Sequence, residues 1–352
     1  MQLSELATTA RIVLRSGASG GARNGQLDLS GRQSGRVEPE SPYSQLSTGI
    51  HPCCARDYLR IRNGRDIARG LNMTKVTRPQ LLQLAQEVSP IERQIIETVA
   101  RFDLIAHTSL HTLFLDPVPA NGRQGRRVLA RLCESQFLAR LERRIGGRRA
   151  GSAGYVYRLG PVGQRLIAHW RGEGLPRGRR APEPGSLFVR HTLSITEIFV
   201  ELIEAERAGV FDLLEFTTEP DCGRIYSDPI GSRAYLKPDA FARVAHGAYE
   251  DRLFIESDLA TEGRGTLKRK CETYVDYLRS GIEQAESGVF PRVLWLVPTA
   301  KRAELLIDIC SNLDPEHWPL FAVITRERLI DFATSTGNLD DDIQGAVIGG
   351  SR

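Results

Sequence analysis

The 352-residue sequence predicts an α+β chain, a winged helix-turn-helix domain followed by a mixed-sheet α/β domain. Three observations carry that prediction. Charge divides along the chain. Positions 89–180 hold seventeen Arg against seven acidic residues, and positions 181–330 hold seventeen Lys or Arg against twenty-five acidic residues. One half is composed to meet a polyanion and the other is not. Next, the hydrophobic period over positions 89–170 runs helix, helix, helix, two short strands, helix, which is the winged-helix order. Last, from position 188 a long helix leads into strand-like runs alternating with helices, among them the wholly apolar run 292–297, the pattern of a strand buried on both faces.

Residues 1–75 are rich in Gly, Ser, Arg and Gln and lack periodicity, so they are expected to form a disordered, low-complexity tail. Met1 and Met73 are the two methionines of the chain, and an over-called start codon is the alternative account of this segment. The winged-helix domain is placed at 85–172. Ser89, Pro90 and Glu92 form a capping box, and Ile91, Ile95, Ile96, Val99 and Phe102 follow at helical spacing. A short helix from Thr108 buries Leu110, Leu113 and Phe114 before Asp116 and Pro117 break it. His107 and His111 are four apart on that helix, a metal-capable spacing, but no third ligand accompanies them.

Asn121 then caps the helix around which the chain is organised. On a helical wheel Arg123, Arg126, Arg127 and Arg131 cluster on one side, while Val128, Leu129, Leu132 and Cys133 fall on the other. From Phe137 the period becomes two, with Phe137, Ala139, Leu141 and Ile145 alternating with Arg140 and Arg144. Gly146 to Gly154 form a turn that carries Arg148 and Arg149, and Tyr155, Tyr157 and Leu159 resume the alternation as the second strand of a wing. Positions 121–149 hold nine Arg against Glu134 and Glu142. Forty-two Arg against five Lys over the whole chain points to a general bias, so it is the clustering that argues for DNA. The expected DNA-binding residues are Arg123, Arg126, Arg127, Arg131, Arg144, Arg148 and Arg149. Arginine's planar fork matches phosphate oxygens and guanine edges. A fourth helix opens at Pro161, with Val162, Leu166, Ile167 and Trp170 inward. Residues 173–186, rich in Pro, Gly and Arg, form the expected linker.

The second domain is placed at 187–330, followed by a disordered polar tail at 331–352. A helix at 188–208 precedes strands at 213–217, 234–244 and 252–259, a helix at 264–279, the strand 292–297, a helix at 299–312 and a last strand at 320–325. Polar residues interrupt two neighbouring strands, Pro238 and Asp239 in one, Glu256 and Asp258 in the other. A turn around His246 and Gly247 brings Asp239 near Glu256. Such a carboxylate cluster calls for a cation or a lysine, and Lys270 on the next helix is within reach. Mg²⁺ takes oxygen ligands of this kind and activates water for attack on phosphate.

The ordered set Pro238-Asp239, Glu256-x-Asp258 and the stretch TLKRKCETYVDYLRSG from Thr266 resembles the PD-(D/E)xK nuclease core, and with the winged helix ahead of it the chain resembles the replication-relaxation family over residues 85–330. That resemblance implies a restriction-endonuclease-like fold for the second domain and a place in plasmids or integrative elements. It implies Asp239 and Glu256 as metal ligands, with Glu197 or Glu201 as a further carboxylate from the first helix. The family pattern has lysine where this chain has Asp258, so the catalytic set it implies is Asp239, Glu256, Asp258 and Lys270, with Lys268 as the other lysine that can take the motif's place. The same departure is equally the mark of a site that keeps the fold without catalysis.

No apolar run reaches the roughly 20 residues of a membrane span, and the start lacks a signal-peptide pattern, so a cytoplasmic protein is expected. Six cysteines at 53, 54, 133, 222, 271 and 310 form no CxxC or zinc spacing, which predicts free thiols and no structural metal. The expected function is that of a DNA-binding protein of a plasmid or integrative element, acting in replication, relaxation or mobilisation. Its partners would be double-stranded DNA and a replication or conjugation protein, with a dimer as one oligomeric form. Two alternatives stand beside it: a Mg²⁺-dependent endonuclease using Asp239 and Glu256, and a winged-helix transcription regulator.

Overall fold

A computed structural model of the chain describes residues 11–13, 76–115, 123–141, 154–176 and 182–334. The described residues fall into two compact units, one within 76–208 with 218–221, the other comprising 11–13, 209–217 and 222–334.

In the first unit, α1 (Arg78–Glu87) begins at a capping box between Thr77 and Gln80, and α2 (Pro90–Phe102) at one between Ser89 and Glu92. α2 buries Ile95, Ile96, Val99 and Phe102, the positions its period assigns inward. β2 (Ile105–Ala106) leads into α3 (His107–Leu110), which continues as a π turn, His111–Leu115. There follow α4 (Arg123–Glu134), β3 (Leu138–Arg140), β4 (Val156–Leu159), α5 (Pro161–Trp170) and α6 (Ser186–Arg207). β2, β4 and β3 form an antiparallel three-stranded sheet in that order. α5 starts directly against the turn after α4, where the amides of Val162 and Gly163 donate to the Gln136 carbonyl at 3.1 and 3.2 Å. Only glycine allows this approach, since a Cβ on Gly163 would come within 2.0 Å of the Phe137 carbonyl oxygen.

α6 packs within this unit. Val189 and Leu193 join Leu104, Leu141 and Val156 in one core cluster, the ring of Phe199 packs tilted against that of Phe102 with centroids 5.0 Å apart, and Arg207 donates to the carbonyls of Thr112 and Leu113. The sequence pattern places this helix at the head of the second domain, because periodicity reports a buried face and not the surface that covers it. The sequence pattern gives no sign of α1: Leu81 is its one buried residue, too little to register as a period.

In the second unit, β5 (Asp212–Thr218) is followed by a two-stranded antiparallel ribbon, β6 (Arg224–Ser227) and β7 (Arg233–Leu236), and by β8 (Ala240–His246) and β9 (Tyr249–Ser257). α7 (Arg264–Ser280), α8 (Ile282–Ser287), β10 (Arg292–Val297), α9 (Ala300–Ser311), β11 (Phe321–Thr325) and α10 (Leu329–Thr334) complete it. The main sheet runs β11-β10-β9-β8-β5 and is mixed: β10 is parallel to both β9 and β11, and β8 is antiparallel to β9. β1 (Arg11–Val13) adds antiparallel to β9 at Asp251 to Tyr249, so these three residues of the expected tail are strand. The other residues of 1–75, and those of the expected tail beyond 334, lie outside the described residues.

The expected strand 234–244 is two strands in two sheets. Pro238 has no N–H to offer a ladder, and the chain leaves the ribbon there and enters β8 at Ala240. β10 is buried at every position from Val293 to Val297. Cys222, Cys271 and Cys310 are buried free thiols, and Cys133 is half-buried and free.

Candidate nucleic-acid interface and carboxylate site

Among the described residues, α4 buries one side. Val128, Leu129 and Leu132 are buried, and a Cβ on Gly125 would meet the Leu115 side chain at 2.9 Å, so the helix lies close on the preceding turn. On the opposite side Arg126 and Arg127 are exposed. Arg131, grouped with them on the wheel, pairs instead with Glu92, the carboxylate of the α2 capping box, and ties α4 to the start of α2. Arg123 is the first residue of the helix. Next to this face Arg140 is exposed, its guanidinium 4.6 Å above the Tyr155 ring and 5.9 Å from that of Tyr157. Arg144, Arg148 and Arg149 lie outside the described residues, as does the turn between β3 and β4. His107 and His111 have ring centroids 6.3 Å apart, and burial, with His111 beside it, holds His107 below the usual histidine range.

The second site is built where β8, β9 and α7 meet. Gly247, at φ +60°, turns the chain between His246 and Tyr249, which are paired, and the antiparallel register then sets Ala240 against Ile255. One step further Asp239 Oδ2 accepts the Ser257 amide at 2.7 Å, which brings its carboxylate beside Glu256. Both are buried. Glu256 Oε1 accepts from the Tyr274 hydroxyl at 2.7 Å and Oε2 from Lys270 Nζ at 3.1 Å. Tyr274 and Lys270 are one turn apart on α7 and so reach the same carboxylate. Burial, with the Asp239 charge added to it, pushes the Glu256 carboxyl up to about 8, against the pull of Lys270 and Tyr274. Lys270 gains from Glu256, Asp239 and Glu262 and holds its proton well above the ordinary lysine range despite its burial. Lys268 pairs with Glu272 at 3.6 Å on the exposed side of the helix. Lys270 is therefore the lysine at the site.

Asp258 is occupied separately. Arg302, from the first turn of α9, forks it through Nε at 2.5 Å and an Nη at 2.9 Å, and also donates to the Glu262 carbonyl. A buried aspartate needs such a counter-charge, which is the one signal in the sequence that could have pointed to Arg302. Glu197 and Glu201 sit on α6, within the first unit. Asp239 and Glu256 are oxygen donors of the kind Mg²⁺ takes, and Mg²⁺ is commonly held by one or two carboxylates with water and phosphate completing its shell. Among the described residues no group of three or more His, Cys, Asp or Glu is arranged to hold a metal ion. No described helix is long and apolar enough to cross a membrane.

Fold and sites together define an α+β protein of two units, one presenting arginines from a single helix, the other a buried carboxylate–lysine site at the end of a mixed sheet. A family model described as replication-relaxation matches residues 98–293, more than half of the chain, and the protein belongs to the replication-relaxation family. Comparison with curated proteins and with solved structures returns no match.

Proposed function

We propose that this protein binds duplex DNA of a plasmid or integrative element and acts in its replication, relaxation or mobilisation. The observation that carries this reading is α4: buried along one side, exposing Arg126 and Arg127 along the other, and followed by a β3–β4 pair in the manner of a wing. A helix so held can enter a major groove, where an arginine fork reads the O6 and N7 of guanine. Arg131, engaged by Glu92, orients the helix rather than reading bases. Arg148 and Arg149 of the wing would take adjacent phosphates or the minor groove, with Arg123 and Arg144 adding to the basic face. The second unit would dock a replication or conjugation protein, or process DNA. A duplex carrying the element's own origin should bind tightly to the full chain, and Arg126→Ala/Arg127→Ala should weaken it by tenfold or more in fluorescence anisotropy. Equal affinity of variant and wild type would overturn the assignment of α4.

One observation favours a second reading, a Mg²⁺-dependent endonuclease: Lys270 stands 3.1 Å from Glu256, which lies beside Asp239, and would replace from the helix the lysine that the family motif has at position 258. Asp239 and Glu256 would then hold the cation, which when bound would polarise a phosphate and lower the pKa of its water. The chain's own residues act around it. Lys270 offsets the carboxylate charge and can donate a hydrogen bond to a phosphate oxygen, Tyr274 fixes the Glu256 rotamer, and Arg302 neutralises Asp258. Nicking of a supercoiled origin plasmid with Mg²⁺ by wild type and not by Asp239→Ala would establish this reading. Intact plasmid, with DNA binding retained, would leave the second unit as a docking scaffold.

A further inference from the structure

Ribbon β6–β7 is the part of the second unit that neither reading above uses. Its inward face is anchored. Tyr226 and Leu236 are buried in the main core, and Arg224 pairs with buried Glu283 at 2.9 Å while its guanidinium lies 5.3 and 5.4 Å from the rings of Phe241 and Phe254. Its tip is set by Asp228, whose Oδ1 accepts the amides of Ile230 and Ser232, and by Gly231 at φ +83°. A firmly held ribbon thus presents its outward face to solvent. On that face Ile225 and Tyr235 are direct cross-strand partners, 56% and 51% exposed, and Ile230 at the tip is 87% exposed. Arg233 lies over the Tyr235 ring at 5.3 Å, and Lys237, also exposed, follows on the same side of the strand.

We infer that this face binds single-stranded DNA, with an unpaired base stacked on Tyr235 against Ile225 and the neighbouring phosphates drawn to Arg233 and Lys237. The chemistry selects this occupant. A half-exposed ring beside an apolar side chain matches the flat face of a base, which is available only when the base is unpaired, and two cations complement the strand's charge. The acid of the ribbon, Asp228, lies at the tip with its Oδ1 engaged by its own backbone amides. The ribbon also runs directly through Pro238 into Asp239, so this face adjoins the carboxylate site along the chain. The inference rests on the reading of the chain as a DNA-binding protein, but concerns a different surface from α4.

The test uses the full chain and a fluorescent single-stranded oligonucleotide, with the same sequence as a duplex in parallel. Tyr235→Ala should weaken single-strand binding about ten- to hundredfold, the range for loss of one stacked base, while Tyr235→Phe keeps it and duplex binding is unchanged by either. Because Tyr235 is half exposed, both variants should fold, and unchanged circular dichroism would verify that. Single-strand binding that survives Tyr235→Ala, that is lost equally in Tyr235→Phe, or that wild type lacks would overturn the inference. Failure of the α4 reading is scored separately, by duplex binding in Arg126→Ala/Arg127→Ala.

Discussion

Glu256 ionises beside Asp239 in a place almost closed to water, so its proton is bound more tightly in the folded chain than in the unfolded one, where a glutamate titrates near the ordinary value of 4.5. The folded carboxyl titrates at about 8, so the contribution of its protonated form to stability is fully present below about 4.5 and is lost as pH rises through about 8. Thermal melts of wild type should therefore fall between pH 5 and pH 8.5 relative to Glu256→Gln. Parallel melting curves for the two across that range would show that Glu256 is ionised throughout, held by Lys270 and Tyr274. The proximity of Asp239 and Glu256 was legible in the sequence, because one short turn at Gly247 relates their strands and the side-chain period does the rest. Arg302 was not legible. It reaches Asp258 from 44 positions further along, and only the parallel return of β10 and the start of α9 bring the two together. Arg131 shows the limit of a helical wheel. The wheel gives its angular position, and the partner, Glu92, comes from a helix 39 positions earlier.

At the scale of elements, α4 acts as a beam fixed by its apolar side so that its polar side can be offered outward. Leu129 is fully buried there, so Leu129→Ala should cost about 2–5 kcal/mol in urea unfolding followed by circular dichroism. If that cost is found without any loss of Arg126 exposure to DNA at permissive temperature, support and recognition are separable functions of the helix. A cost below about 1 kcal/mol would mean that α4 is not held as described. The helices with strong periods, α2, α4, α5 and α7, were legible within a residue or two. Strand β6 was not, because four residues with one of them buried are too short a stretch for a period to stand out, while β7 was legible only as the start of the expected strand 234–244. The break at Pro238 carried the right signal, a missing donor, but a missing donor reads equally as a bulge or as the end of a strand.

Across the whole molecule, the division of charge between the arginine-rich first half and the acidic second half parallels the division into two units, although α6 belongs by its packing to the first. The replication-relaxation family model spans both divisions, from residue 98 to residue 293. The central claim is that its first unit binds duplex DNA by phosphate and base contacts from α4. The most direct test is the salt dependence of that binding, measured by anisotropy on one duplex between 50 and 300 mM salt for wild type and Arg126→Ala/Arg127→Ala. Each guanidinium that neutralises a phosphate contributes about −0.9 to the slope of log K against log salt, so the account predicts weaker binding and a slope shallower by up to about 2 in the variant. Identical affinity and slope in the two proteins would contradict it.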